Sequence, residues 1–351
     1  MSRSKPAASV ALSSGVISRN STIEPSRSSR RSGLCETAAA KVRSRVRIVT
    51  LRGGKLLQVS SAHGETFRGR VRSRLKGIYY SRTCRALAYA PADAYDRLRG
   101  RRGPLTPPRR LQYVGRAADF EAVGADWRER LVRDHGLRPD SDVLDIGCGV
   151  GRAAVALIPE LRTGSYEGFD VVPQFIRWCR RAITSRHPRF RFRVADVGNR
   201  QYNRGGDSPA ARFAFPYADE SFDLALAASV FTHMEPDGIR RYLAEARRVL
   251  RPGGALVCTF FLVDEEVERM LPLGRSAFPL DHELTDAEGT RYRAADRRVP
   301  EYCAGIYERP LRADVAAIGL EVEAVERGWW SGREVGPGAP YQDLLRLRRP
   351  A

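Results

Sequence analysis

Val143-Leu144-Asp145-Ile146-Gly147-Cys148-Gly149-Val150-Gly151-Arg152 starts as a short apolar run and dissolves into three glycines. An apolar run of four, closed by turn residues, reads as a buried strand. The glycines then supply a tight turn whose backbone nothing shields. Residues 152–158 follow as a helix, and the same alternation continues outward. Residues 165–169 make a second strand that ends at Asp170. Pro173 opens a helix with Phe175, Ile176, Cys179 and Ile183 on one face, proline being well suited to a first helical turn. Residues 190–194 make a third strand ending before Asp196, and 222–228 a fourth, strongly apolar one. Ile239, Leu243, Ala246 and Leu250 recur at steps of three and four and predict a helix over 236–250, stopped by Arg251-Pro252-Gly253-Gly254. A fifth strand over 255–261, a short helix over 311–318 and two last strands over 321–329 and 341–348 complete the chain. Strands separated by helices predict an α/β, Rossmann-like, doubly wound and mostly parallel sheet. The last two strands have no helix between them and pair antiparallel.

Ligands of such a sheet bind beyond the carboxyl ends of its strands. Asp145, Asp170 and Asp196 stand at three of those ends, 25 and 26 residues apart, so one crevice can hold all three. The dinucleotide fingerprint G-x-G-x-x-G faces a pyrophosphate with a helix N-terminus. Here the pattern is Asp145-x-Gly147-x-Gly149-x-Gly151, with an acid ahead of the glycines. A carboxylate there suits a cationic ligand better than a pyrophosphate. S-adenosylmethionine carries an ammonium and a sulfonium and no phosphate. Asp170 can accept both ribose hydroxyls, and Asp196 can receive the adenine amino group.

Residues 143–152, Asp170, Ala195-Asp196-Val197, Phe215-Pro-Tyr-Ala-Asp-Glu-Ser-Phe-Asp223 and Leu250-Arg-Pro-Gly-Gly254 together resemble the ordered motifs of class I S-adenosylmethionine-dependent methyltransferases, closest to the bacterial type 11 and type 25 domains. The resemblance runs from about residue 111 to residue 348. It implies a seven-stranded sheet with a reversed last strand and S-adenosyl-L-methionine as cofactor. By the same resemblance Asp145, Gly147 and Gly149 contact the methionine portion, Asp170 holds the ribose, and Asp196 and the Val197 backbone hold the adenine. Gly151 and Val171 are cofactor-binding positions beside them. Ser229 and Val230 lie under the methyl group.

Methyl transfer from a sulfonium needs mainly alignment of the nucleophile, and some acceptors also need a base. His233, just past strand four, is the first candidate for that base and Glu235 the second. Tyr113 and Arg116 precede the core and can close over the cofactor. Insertions at 198–214 and 262–310 can cap the carboxyl edge as a lid. Asp281-His282-Glu283 is no metal site, since adjacent side chains rarely aim at one ion. Trp329-Trp330 is either a stacking platform or a hydrophobic strand end. No Asn-Pro-Pro-Tyr or Asp-Pro-Pro-Tyr follows strand four, which disfavours amino-methylation of nucleic acid or protein glutamine. A small molecule, glycan or lipid intermediate methylated at oxygen is the expected acceptor.

The charge is lopsided. The 351 residues carry a net +19, yet residues 1–110 alone hold 25 basic and five acidic side chains. The rest is close to neutral, so nucleic acid is not expected as a partner of the folded domain. Residues 1–76 are rich in Arg and Ser with no sustained period, and read as a disordered extension. Residues 77–110 read as a basic helix and linker, and 111–351 as the enzyme domain. A basic amphipathic helix over 84–102 lying on a membrane is a weaker alternative to a solvated one. Six scattered cysteines form no framework and fit a reducing, cytoplasmic setting. The rival readings are an NAD(P)-dependent oxidoreductase and a nucleic-acid-binding protein working through the basic segment.

Overall fold

A computed structural model describes residues 82–112 and 119–351. The extension 1–76, Tyr113 and Arg116 lie outside the described residues. The elements in chain order are α1 (Arg82–Leu98), α2 (Asp119–Arg133), β1 (Val143–Ile146), α3 (Arg152–Leu157), β2 (Tyr166–Asp170), α4 (Pro173–Cys179), β3 (Phe190–Val194), β4 (Phe222–Ala227), α5 (Pro236–Val249), β5 (Leu250–Phe260), β6 (Leu262–Val263), α6 (Glu265–Met270), β7 (His282–Thr285), β8 (Arg291–Ala294), β9 (Ala304–Tyr307), α7 (Glu308–Ile318), β10 (Glu321–Glu326) and β11 (Asp343–Arg348).

Seven strands form one sheet in the order β10-β11-β5-β4-β1-β2-β3. β1 pairs in parallel with β2 and β4, β2 with β3 and β4 with β5, while β11 runs antiparallel to both β5 and β10. The reversed last strand expected from the sequence is therefore present. β1 is buried along its whole length because helices cover both faces of the sheet. Leu144 and Ile146 join one core with Leu243 and Ala246 of α5 and Val315 of α7. Val143 joins the other with Leu131 of α2, Leu157 of α3 and Ile176 of α4.

The helix ends at Val249, ahead of Arg251-Pro-Gly-Gly as expected, but these four residues are not a turn that delays the next strand to Ala255. β5 already starts at Leu250, which pairs with Phe222, and the next pair is Ala255 with Leu224. The four residues between form a bulge against Asp223, and a Cβ on Gly254 would lie 3.0 Å from the Asp223 carbonyl oxygen. The turn residues were legible; their use as a bulge rather than a break depends on β4 lying alongside.

The insertion 262–310 holds a second sheet, in the order β6-β9-β8-β7, that local periodicity did not reveal. It joins the main sheet through Asp343, which is fully buried. Its carboxylate accepts the N–H of Leu262 at 2.8 Å, the N–H of Gly328 at 2.9 Å and the Trp330 indole N–H at 2.7 Å. Trp330 itself is fully buried beside Phe261, whereas Trp329 is exposed and lies tilted against Tyr341 with ring centres 4.5 Å apart. The tandem tryptophans are thus no single platform.

Asp343→Ala strands three donors, each costing about 1–3 kcal/mol if left unpaired. We expect it to lower the unfolding free energy by about 3 kcal/mol or more. Asp343→Asn, which keeps one acceptor, falls in between. Urea unfolding at neutral pH reads the difference.

Candidate active site

Gly147 and Cys148 both donate their N–H to the Phe169 carbonyl, at 2.8 and 3.0 Å, and so clamp the loop after β1 onto the end of β2. Gly147, Gly149 and Gly151 all have positive φ, a region in which residues with a Cβ are strained. Their surroundings differ. A Cβ on Gly147 would lie 2.6 Å from Val230 Cγ2, and one on Gly151 would lie 2.5 Å from Ile183 Cδ1. A Cβ on Gly149 would meet nothing within 4 Å. The first and third glycines answer to packing, and the middle one leaves open space above the backbone.

Asp170, the last residue of β2, reaches back into this loop. Its Oδ2 accepts the Gly149 N–H at 2.9 Å, and its Oδ1 accepts the Val172 N–H at 2.8 Å. Burial pushes its carboxyl up to about 6, against the pull of the N–H groups of Val172, Gly149 and Val171. A carboxylate has about four acceptor positions, so capacity remains for a ligand's hydroxyls. Asp145 is sealed in: it is 3% exposed, and its Oδ2 accepts the Tyr166 hydroxyl. Burial raises its carboxyl to about 7, relieved by the Tyr166 hydrogen bond and raised further by the negative charge of Asp170. The sequence pattern paired Asp145 with a ligand's cation; its side chain is instead sealed against a tyrosine.

Asp196 is exposed just past β3. Val197 is buried, and its carbonyl accepts the Asn203 amide at 3.0 Å. Past β4, Ser229 has φ +57°, held by its own N–H donating to Thr259 Oγ1 at 2.7 Å. Its hydroxyl donates to Gln342 Oε1 at 2.9 Å. Val230 then packs against Gly147, which puts the loop after β4 beside the glycine loop.

His233 Nδ1 lies 2.8 Å from the Glu301 carbonyl oxygen, so in the neutral ring Nδ1 carries the proton and Nε2 the lone pair. Burial pushes the imidazole below its usual value, opposed by the carbonyls of Glu301 and Tyr302. Glu235 is half-buried and its carboxyl is raised, first by burial and then by the Glu301 charge, while a hydrogen bond from Tyr292 lowers it. Both insertions meet here. From 198–214, Asn199 donates to the His233 carbonyl at 3.2 Å and the Tyr202 ring stands edge-on to the imidazole at 5.3 Å. From 262–310 come Tyr292 and Glu301, and Arg200 lies 3.6 Å from Glu301. Arg200, Tyr292, Glu301, Thr259 and Gln342 belong to no motif and were not legible in advance.

An apolar cluster adjoins the glycine loop through Val150. Phe120 of α2, Val150, Val172 and Phe175 pack together, with Leu111 and Tyr202 against them. Asp281, His282 and Glu283 are all exposed, and among the described residues no group of His, Cys, Asp and Glu is arranged to hold a metal ion.

Residues 143–254 match the family model described as a methyltransferase domain, a span from β1 through the β5 bulge. A phthiotriol/phenolphthiotriol dimycocerosates methyltransferase 1 of Mycobacterium ulcerans is 35% identical over 127 residues, covering 36% of this chain and 39% of its own length. A demethylmenaquinone methyltransferase of Lactiplantibacillus plantarum is 29% identical over 133 residues, covering 38% and 50%. The chain thus spans half or less of the length of these curated relatives. Among solved structures, a 1,6-didemethyltoxoflavin-N1-methyltransferase of Burkholderia thailandensis is 20% identical with a TM-score of 0.41, covering 66% of this chain and 80% of its own.

The raised carboxyl of Asp145 has a consequence for stability. An unfolded aspartate titrates near 3.9, so from there to about 7 the folded chain holds a proton that the unfolded one has lost, and this group's contribution falls as pH rises through that window. Asp145→Asn removes the titration and keeps an acceptor for Tyr166. The variant should gain in melting temperature relative to the native chain between pH 5 and pH 8, measured by calorimetry without ligand. A difference that is flat across that range contradicts the assignment.

Proposed function

With residues 143–254 forming a domain of the class I methyltransferase family, we propose that this chain transfers the methyl group of S-adenosylmethionine to an oxygen of a small molecule, glycan or lipid intermediate. The observation that carries the reading is the Asp170 carboxylate, tied to the Gly149 and Val172 N–H groups next to the open space above Gly149. On this reading Asp170 accepts the ribose hydroxyls, and the backbone at Gly147 and Gly149 lies along the methionine portion. Asp145 braces the loop from behind through its Tyr166 partner. Asp196 and the Val197 backbone take the adenine, and Ser229 and Val230 line the methyl position. The names of matched relatives, which carry a phthiotriol and a demethylmenaquinone, favour an organic acceptor over a nucleic acid.

In the reaction the acceptor oxygen attacks the methyl carbon while the carbon–sulfur bond breaks, and the sulfonium leaves as a neutral thioether. Orientation can supply up to ~7–11 kcal/mol of such a barrier. The acceptor's proton goes to His233 Nε2, the lone-pair nitrogen of a ring that burial keeps neutral near pH 7. The edge-on Tyr202 and the Glu301 carbonyl hold that ring in place. Glu235 shapes the acceptor side with Tyr292.

Calorimetric titration of S-adenosylmethionine into the full chain tests the cofactor. Micromolar binding is expected, and Asp170→Ala should abolish it. Gly149→Ala should fold and lose affinity, because its methyl enters the open space, whereas Gly151→Ala should destabilise the fold by overlapping Ile183. Affinity should fall as pH drops through about 6, where Asp170 takes up a proton and loses acceptor capacity. Unchanged binding by Asp170→Ala overturns the ribose assignment. For the base, His233→Gln should cut turnover about 100-fold or more with cofactor affinity unchanged.

A further inference from the structure

Helix α1 has its polarity reversed. The side chains it turns inward are charged: Arg85 is 3% exposed and Asp93 and Asp96 are buried. All three bind the chain that follows the helix. Arg85 donates to the carbonyls of Gln112 at 2.8 Å and Arg109 at 3.1 Å. Asp93 accepts the Arg109 N–H at 2.7 Å and pairs with Arg110, and Asp96 pairs with Arg109 at 2.7 Å. The outward face is apolar. Cys84, Leu87, Pro91, Ala94 and Leu98 follow at steps of three and four and are all exposed, Leu87 at 73% and Leu98 at 86%. An amphipathic helix ordinarily buries that stripe. Exposed Arg97, Arg99 and Arg101 rim its end, and Tyr95 lies under the guanidinium of Arg101.

We propose that α1 docks this chain on an anionic lipid surface, lying in the interface with Leu87 and Leu98 toward the acyl region and the arginines toward the headgroups. Charge selects this occupant. A second copy would bring its own arginine rim against this one. Residues 1–81 carry 17 basic and three acidic side chains, the same sign as the rim. An anionic bilayer alone offers both an apolar phase for the stripe and counter-charge for the rim. Among the described residues no helix is long and apolar enough to cross a membrane, so the helix lies on the surface. The chain after α1 carries the docking to the site: Leu105 packs on the core beneath the sheet, and Leu111 packs with Val150 of the glycine loop. The docking stands independently of methyl transfer; where that reading also holds, it sets the site beside an acceptor dissolved in the bilayer.

The test is co-sedimentation of the full chain with vesicles of phosphatidylcholine alone and with about one third phosphatidylglycerol. The native chain should favour the anionic vesicles, and Leu87→Glu/Leu98→Glu should weaken that binding at least about tenfold. The double variant should keep its melting temperature and its S-adenosylmethionine affinity, since neither side chain touches the fold or the site. Vesicle binding undiminished in the double variant overturns the proposal and assigns attachment to the basic residues alone. A lower melting temperature of the double variant without lipid overturns it in favour of residues 1–81 as the cover. A lipid-free dimer that the double variant dissolves overturns it in favour of a second copy.

Discussion

The carboxylate of Asp170 ties the end of β2 to the middle of the glycine loop, and the rest of the site is laid out from that tie. Its two oxygens hold the Gly149 and Val172 N–H groups, so the loop after β1 and the turn into α4 cannot move separately. The loop in turn sets the distance to β4, because Val230 occupies the space that a side chain at position 147 would need. Three strand ends are thereby locked together at one edge of the sheet. Burying the carboxylate is electrostatically costly, and the N–H groups it accepts offset part of that cost. Burial raises Asp145 as well, and the Asp170 charge raises it further.

The opposite wall is built by segments far apart in the chain. Gln342, just before β11, accepts the hydroxyls of both Ser229 and Thr259, at 2.9 and 2.6 Å. Asp343, the next residue, gathers the start of the second sheet and the turn before Trp330. The reversed strand therefore does more than close the sheet: its first residues fix the loop past β4 on one side and the insertion on the other. His233 then meets the Glu301 carbonyl from one insertion and the Tyr202 ring from the other; the carbonyl sets its tautomer, and burial keeps the ring neutral against the pull of that carbonyl. A histidine whose orientation is set by two separate segments costs conformational freedom to install, and the proposed base would need that orientation.

The N-terminal part follows a different logic from the domain it precedes. In α1 the ion pairs face inward and the apolar stripe faces out, opposite to the helices that cover the sheet. The alternation of charge and apolar surface around the helix is visible in the residues. Which side is inward is not, because it is decided by Arg109 and Arg110 folding back onto Asp93 and Asp96.

The sequence by itself determined the strands and their order of helices, since buried parallel strands are apolar runs and helices repeat at three and four. It also determined the glycine loop and the three aspartates at strand ends, because a Cβ-free turn and an acid at a sheet's carboxyl edge leave a local signature. The lack of a helix between the last two strands was enough to pair them antiparallel. The tertiary structure decided what spacing does not encode. Asp145 and Asp170 look alike in the sequence, yet Asp145 pairs with Gly168 inside β1 and faces Tyr166, while Asp170 ends β2 and faces the loop's N–H groups. Arg251-Pro-Gly-Gly became a bulge because β4 lay beside it. The second sheet formed from short strands of weak period, held by a carboxylate 81 residues away from the N–H it accepts. Glu301, Tyr292 and Gln342 reached the site through such long-range packing, and contacts between distant segments leave no pattern in local sequence.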